Sequence, residues 1–408
     1  MELKIFATAL NHVKLFGQNG LPKYEDEWTH FASICASFPD ESVEVLSFGI
    51  GTKCLGASQL DKNGYSINDS HAEVLARRGF VGFLFEEFQN VYFGSVSKYF
   101  YLVDSKIGLI DGVKFHLCAT HTPCGDASIF SVNEAENSAM NSLRPMHADD
   151  IFRTGAKCVL SGPQDPHGTL SKFHIVGQFR TKPGRGEPTL SMSCSDKIAK
   201  WSVMGIQGCL ASAFLLQPIY LSSVILGKCP YSEAALRRAI VERNFGFQSD
   251  HQEYTFHEPK FYFSDMQDYS LSGGSSCRQK PLSRRQRKPC STSSVWFCGL
   301  SRAEILVDGY LQGSTKLSRS RFGSAGHCSA VCRRQLAIQS LRIGRLIGSE
   351  HPLNNSQTPF GAVIYENLKS AHLAYMNVWK QLKEQYRHWI VDIRKRQAQQ
   401  FFLEPTFD

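Results

Sequence analysis

The chain has 408 residues, 42% of them hydrophobic, with 45 basic against 37 acidic side chains and a formal charge of +8. That is enough apolar material for a substantial core, and the small basic excess suits an anionic partner without requiring one. Its thirteen cysteines are odd in number and irregular in spacing, which excludes a disulfide framework.

Met1-Glu2-Leu3-Lys4 leads into only a short apolar run with no secretory signal. Reduced thiols in the cytoplasm or nucleus are therefore expected. Glu44 to Phe48 reads as a strand, followed by the glycine-rich Gly49-Ile50-Gly51-Thr52-Lys53. His71 to Phe80 predicts a helix with Asp69 or Ser70 as its cap. Val113 to Ala119 predicts a strand that runs through Thr120-His121-Thr122 into Pro123-Cys124. A proline there suits the first turn of a new helix. Ala156 to Leu160 reads as a further strand.

A helix is expected from near Asp196, which would put Cys194 at its entry. Cys209 to Leu226 is apolar but broken by Gln217-Pro218, so it reads as a buried helix and strand and not as a membrane span. Tyr269 to Ser294 holds Arg278, Lys280, Arg284, Arg285, Arg287 and Lys288 with no acid. Such a segment cannot bury enough apolar surface to order itself, and reads as a solvated insertion or an RNA-contacting or nuclear-targeting loop. Val295–Cys298 and Glu304–Val307 predict a hairpin around Leu300–Ala303. Tyr365, Leu368, His372, Tyr375, Trp379, Leu382, Tyr386, Trp389 and Ile393 recur at steps of three and four, one face of a helix or of two in succession. The alternation of strands and helices, ending in a helical C-terminal part, predicts a layered α/β/α fold.

The chemistry is concentrated in three separated pieces. One imidazole, His71, and two thiols, Cys124 and Cys194, would leave a tetrahedral Zn²⁺ with one open position, as in a catalytic site. Glu73, two residues after the histidine, can handle the proton of a zinc-activated water without ligating the metal, which is how zinc deaminases treat a nucleobase. The short P-C-x-x-C signature fails because Ala127 stands at the second cysteine position. The third ligand must come from elsewhere, and Cys194 is the candidate.

NDSHAEVLARR, THTPCGDASIF and above all LSMSCSDKIAKWSVMGIQGCLAS resemble the deaminase domain shared by adenosine deaminases acting on RNA and the tRNA-specific adenosine deaminases of the position-37 type. The resemblance runs from about Leu21 to about Trp389 and is weak between about Ser264 and Ser294. It implies one three-layer α/β/α zinc deaminase domain over residues 21–393, a short extension over 1–20 and a tail over 394–408. It implies zinc on His71, Cys124 and Cys194, Glu73 as the proton carrier, and Thr52, Lys53 and Glu187 near the RNA. A loop glutamate facing solvent is an equal reading of Glu187.

The same resemblance implies a buried inositol hexakisphosphate. Asn68, Arg77, Arg78, Lys197, Lys200, Tyr365, Lys369 and Tyr375 match its ligands, and Arg333, Lys380 and Trp389 match more loosely. A pair of charged residues expected just beyond Trp389 reads Val391-Asp392 instead. Asp69, Lys182, Lys197 and Trp201 match a polar relay from polyphosphate to the zinc-bound cysteine. The implied activity is adenosine-to-inosine conversion in tRNA, at adenosine 37 beside the anticodon of alanine tRNA. Only twenty residues precede Leu21, too few for the duplex-RNA-binding domains that the duplex editors carry upstream. A duplex-RNA editor without accessory domains, and a non-catalytic RNA- or inositol-phosphate-binding protein, are the rival expectations.

Overall fold

The computed structural model describes residues 1–24, 26–135, 150–166, 168–183, 187–266, 271, 288–322, 324–348, 363–390 and 400–403. The basic residues Arg278 to Arg287, the pair Val391-Asp392 and Ile393 lie outside them.

Eight strands make one mixed sheet: β1 (Phe31–Ser37), β2 (Val43–Ile50), β3 (Lys114–Ala119), β4 (Leu221–Leu226), β5 (Lys260–Phe263), β6 (Ser293–Phe297), β7 (Glu304–Val307) and β8 (Tyr310–Leu311). Their order across the sheet is β5-β4-β3-β1-β2-β6-β7-β8. The β3–β4 and β4–β5 pairs are parallel and the other neighbours antiparallel. Every residue of β1 is buried, as expected for a central strand covered on both faces.

Alternation along β1 assigns those faces. Ala32, Ile34 and Ala36 pack with α2 (Ala72–Tyr92), whereas Phe31 and Cys35 pack with α1 (Glu2–Phe16). Ile5, Phe6, Ala9 and Val13 of α1 are wholly buried, so the segment ahead of Leu21 belongs to the core. The close approach of α2 depends on Gly49 of β2, where an added Cβ would stand 2.4 Å from the Ala72 carbonyl oxygen.

The hairpin of β6 and β7 forms with Ser293 opposite Leu306. Lys288-Pro289 pairs in parallel with Glu27-Trp28, so the end of the basic segment is strand. Two expected elements are shorter. Only Lys157–Cys158 of the predicted 156–160 strand pairs, with Arg180–Thr181. No long helix starts at Cys209: α3 (Cys194–Met204) stops at Gly205, φ 72°, and Cys209–Ser212 is a single turn before β4. The C-terminal stripe is two helices, α5 (Tyr365–Ser370) and α6 (Leu373–Gln385), which follow α4 (Arg333–Ile347). Tyr375, Val378, Leu382 and Tyr386 pack with Ala199, Val203 and Met204 of α3, so most of the stripe is core. No described helix is long and apolar enough to cross a membrane.

Candidate active site

His71 ends a short strand, Asp69–His71, that pairs with Thr52–Cys54 and leads directly into α2. It is therefore His71 that occupies the cap position of α2, with no side-chain cap, because Asp69 and Ser70 are still in the strand. Glu73 follows in the first helical turn and is buried. Cys124 lies in the loop after β3, and Cys194 opens α3 behind the N-cap Ser193.

No α-helix begins at Pro123. Gly125, φ 109°, turns the chain into a single 3₁₀ turn over Asp126–Ser128. A Cβ at Gly125 would sit 2.2 Å from Ser193 Oγ and 2.5 Å from Ser195 Oγ, so only glycine lets this loop reach the start of α3. The helix terminus that favours the Cys124 thiolate is that of α3, since the Cys194 N–H points to Cys124 Sγ at 3.3 Å. Hydrogen bonding with Cys194 holds the Cys124 thiol well below its ordinary range, against burial and with Lys182 and His71 assisting.

Beyond the ligands, Arg243 ties the two loops together. It contacts Asp126 at 3.3 Å and also pairs with Asp196 in the first turn of α3. Both carboxylates are fully buried.

His71 Nδ1 stands 3.8 Å from Cys124 Sγ and 3.7 Å from Cys194 Sγ, and the three ligand atoms lie within 4.8 Å of one another. A tetrahedral ion at about 2.3 Å from sulfur and about 2.0 Å from nitrogen separates those atoms by about 3.6 Å. The cluster therefore fits a metal ion with three protein ligands. It is the one such group of histidine, cysteine and carboxylate side chains among the described residues.

The cluster opens on a cavity of about 430 Å³ lined by Glu73, Thr52, His30, His121, Phe130, Phe152 and Arg153. Thr52 is thus in the lining of the cavity beside the cluster. Lys53 and Glu187 are not in this lining. The Glu187 carboxylate instead accepts from the N–H and hydroxyl of Ser58, both at 2.7 Å, which secures the turn beside Gly56. His30, His121 and the Phe130–Phe152 stack were not singled out in the sequence. Of these, only His121 carried a local signal, three residues before Cys124.

A second cavity, about 370 Å³, lies behind the first turns of α2 and α3. Asn68, Arg77, Arg78, Lys197, Lys200, Trp201, Arg333, Tyr365, Lys369 and Trp389 all line it. Tyr375 lines an adjoining space with Arg77 and Lys369, and Lys380 lines neither. Six cationic side chains face this cavity against one carboxylate, Asp69. Burial pulls Arg78 down to about 10, and neighbouring Arg333 adds to the effect. Lys200 lies 3.7 Å from the Trp379 ring centre.

A continuous polar path joins the two cavities. Lys197 bonds Asp69 and, at 2.7 Å, Ser191, which itself donates to Asp69 at 2.6 Å. Lys182 Nζ then contacts Asp69 Oδ1 at 2.9 Å and Cys194 Sγ at 3.1 Å. Lys182 is fully enclosed. Burial opposes the charge on both members of the pair, yet Lys182 and Lys197 hold Asp69 well below the carboxylate range, and Asp69 holds Lys182 well above the ordinary lysine value.

The model of the adenosine-deaminase (editase) domain matches residues 47–392. The human protein called tRNA-specific adenosine deaminase 1 is 28% identical, with 91% of this chain and 94% of that protein aligned. The Drosophila melanogaster protein of the same name is 32% identical over 88% of this chain and 87% of its own length. The mouse double-stranded RNA-specific adenosine deaminase is 33% identical over 50% of this chain and 17% of its own length. The domain match covers most of the sequence and includes the three side chains that could hold a metal ion and the neighbouring glutamate: the chain belongs to the adenosine-deaminase (editase) family.

Proposed function

We propose that this protein hydrolyses adenosine to inosine and ammonia in tRNA, with Zn²⁺ held by His71, Cys124 and Cys194 and with adenosine 37 beside the anticodon of alanine tRNA as the target. The observation that carries this reading is Glu73 lining the same cavity as His71 and Cys124, whose ligand atoms lie within 4.8 Å of each other and of that of Cys194. Zinc in such a site supplies a water acidic enough to ionise near neutrality. Glu73 would take one proton from the water and pass it to N1 of adenine as the hydroxyl oxygen bonds to C6, then take the proton of the new C6 hydroxyl and give it to the amine, which leaves as ammonia when the C6–N bond breaks. Lys182 donates to Cys194 Sγ and so tempers the charge of that thiolate. The cavity accepts one nucleoside, so the base leaves any stack to enter it.

We read the helices on both faces of the sheet as the three-layer zinc deaminase fold. The second cavity is read as the seat of inositol hexakisphosphate, held by Asn68, Arg77, Arg78, Lys197, Lys200, Arg333, Tyr365, Lys369 and Trp389, with Tyr375 beside it. The excess of cations over acids around it supports a polyanion. The path through Lys197, Asp69 and Lys182 would couple that anion to Cys194, with Trp201 packed beside it. Preference for tRNA over duplex RNA is supported by the relatives that align over nearly their whole length, which carry the tRNA-specific name.

Incubation of the purified protein with total tRNA is expected to yield inosine or its methylated derivative by mass spectrometry. Inosine formed only in duplex RNA would favour the editor reading, and none in either would end the enzyme reading. The ligand set has its own test. Cys194→Ser should lose zinc and activity together, whereas Cys118→Ser and Cys209→Ser should keep one zinc per chain. Unchanged zinc in Cys194→Ser would show that the third ligand lies elsewhere.

A further inference from the structure

We propose that His121 is a substrate-specificity residue whose Nε2 accepts a hydrogen bond from an N–H or O–H group of the target nucleoside. This rests on the deaminase reading of the cavity and adds a contact to it. His121 Nδ1 faces the Thr122 carbonyl oxygen at 3.2 Å. A carbonyl only accepts, so Nδ1 carries the hydrogen and the neutral ring presents a lone pair at Nε2. That nitrogen is buried and has no hydrogen-bond partner among the described residues. Buried polar atoms are normally satisfied, so an orphan at a cavity wall marks a place for a ligand atom.

The position fits such a ligand. His121 lines the cavity together with Glu73, His71 and Cys124. Its ring is held from behind by His30, with ring centres 4.8 Å apart at 49°, and His30 in turn packs on Trp28 at 5.1 Å. Burial also keeps His121 below the ordinary histidine value. Thr52 Oγ1 and His30 Nδ1, whose residues also line the cavity, are likewise buried without hydrogen-bond partners among the described residues. In adenosine the ring nitrogens accept, and only the 6-amino group and the ribose hydroxyls can donate. The partner of Nε2 is therefore one of those two.

The test uses the full-length zinc protein and a stem-loop RNA copied from the tRNA site found to carry inosine. The target position holds adenosine, 2′-deoxyadenosine or purine riboside, which lacks the 6-amino group. His121→Phe keeps the ring and removes the acceptor; His121→Gln restores an acceptor near the same place. His121→Phe should lower kcat/KM on adenosine about tenfold, the worth of one hydrogen bond, at unchanged zinc content, with recovery in His121→Gln. If the loss vanishes on 2′-deoxyadenosine, the partner is the ribose 2′-hydroxyl. If it persists there while inhibition by the purine riboside RNA is unaltered, the partner is the 6-amino group. Rates for His121→Phe within twofold of wild type, or a loss that His121→Gln does not recover, would overturn the inference. Absence of inosine formation by the wild-type protein would strike the deaminase reading instead.

Discussion

Glu73→Ala is expected to abolish inosine formation while zinc stays near one per chain. Glu73 sits in the first turn of α2, two residues beyond a ligand, so its carboxylate reaches the cavity and not the ligand cluster. Removing a positioned proton carrier typically costs ~10²–10⁴ in rate. In the proposed reaction the same group serves the water, N1 and the leaving amine, so the loss should lie at the upper end of that range. Single-turnover deamination of tRNA, paired with metal analysis, checks it. Residual turnover within tenfold of wild type, or loss of zinc, would show that Glu73 has another role.

Loss of the proposed polyanion is expected to be equally severe, and at the level of folding. Arg77 Nε donates to the Ile206 carbonyl oxygen and Arg78 Nε to that of Val331, both at 2.7 Å, which fixes the two side chains but neutralises neither. Six cations converge on one cavity with a single facing carboxylate, and that carboxylate is already engaged by Lys182 and Lys197. Like charges gathered in one partly buried cavity repel one another, against a typical net stability of only ~5–15 kcal/mol, and a bound polyanion would relieve that repulsion. Protein made in cells unable to synthesise inositol hexakisphosphate should be insoluble or inactive. Lys369→Met should move the wild-type protein toward that state. Denaturing purified protein should release inositol phosphate; soluble, active enzyme that releases none would rule the idea out.

Local pattern determined a good deal about this protein. His71, Glu73, Cys124 and Cys194 were legible because zinc chemistry restricts residue type and because α2 and α3 each start beside a ligand. The residues matched to the polyphosphate were legible through resemblance, and all of them except Lys380 and Tyr375 line one cavity. Strands β2, β3, β6 and β7 were visible from alternation and β-branched or aromatic content.

Tertiary structure alone decided the rest. The single 3₁₀ turn after Cys124 follows from contacts between Gly125 and α3, which no local propensity encodes. The ending of α3 depends on the left-handed conformation of Gly205, and between the two roles offered for Asp69, helix cap and relay member, the contacts with Lys182 and Lys197 select the second. The burial of α1 depends on a sheet face built from strands distant in sequence. The place of His121 was hidden for the same reason: its free nitrogen acquires meaning only where Glu73, Cys124 and His30 meet around one cavity.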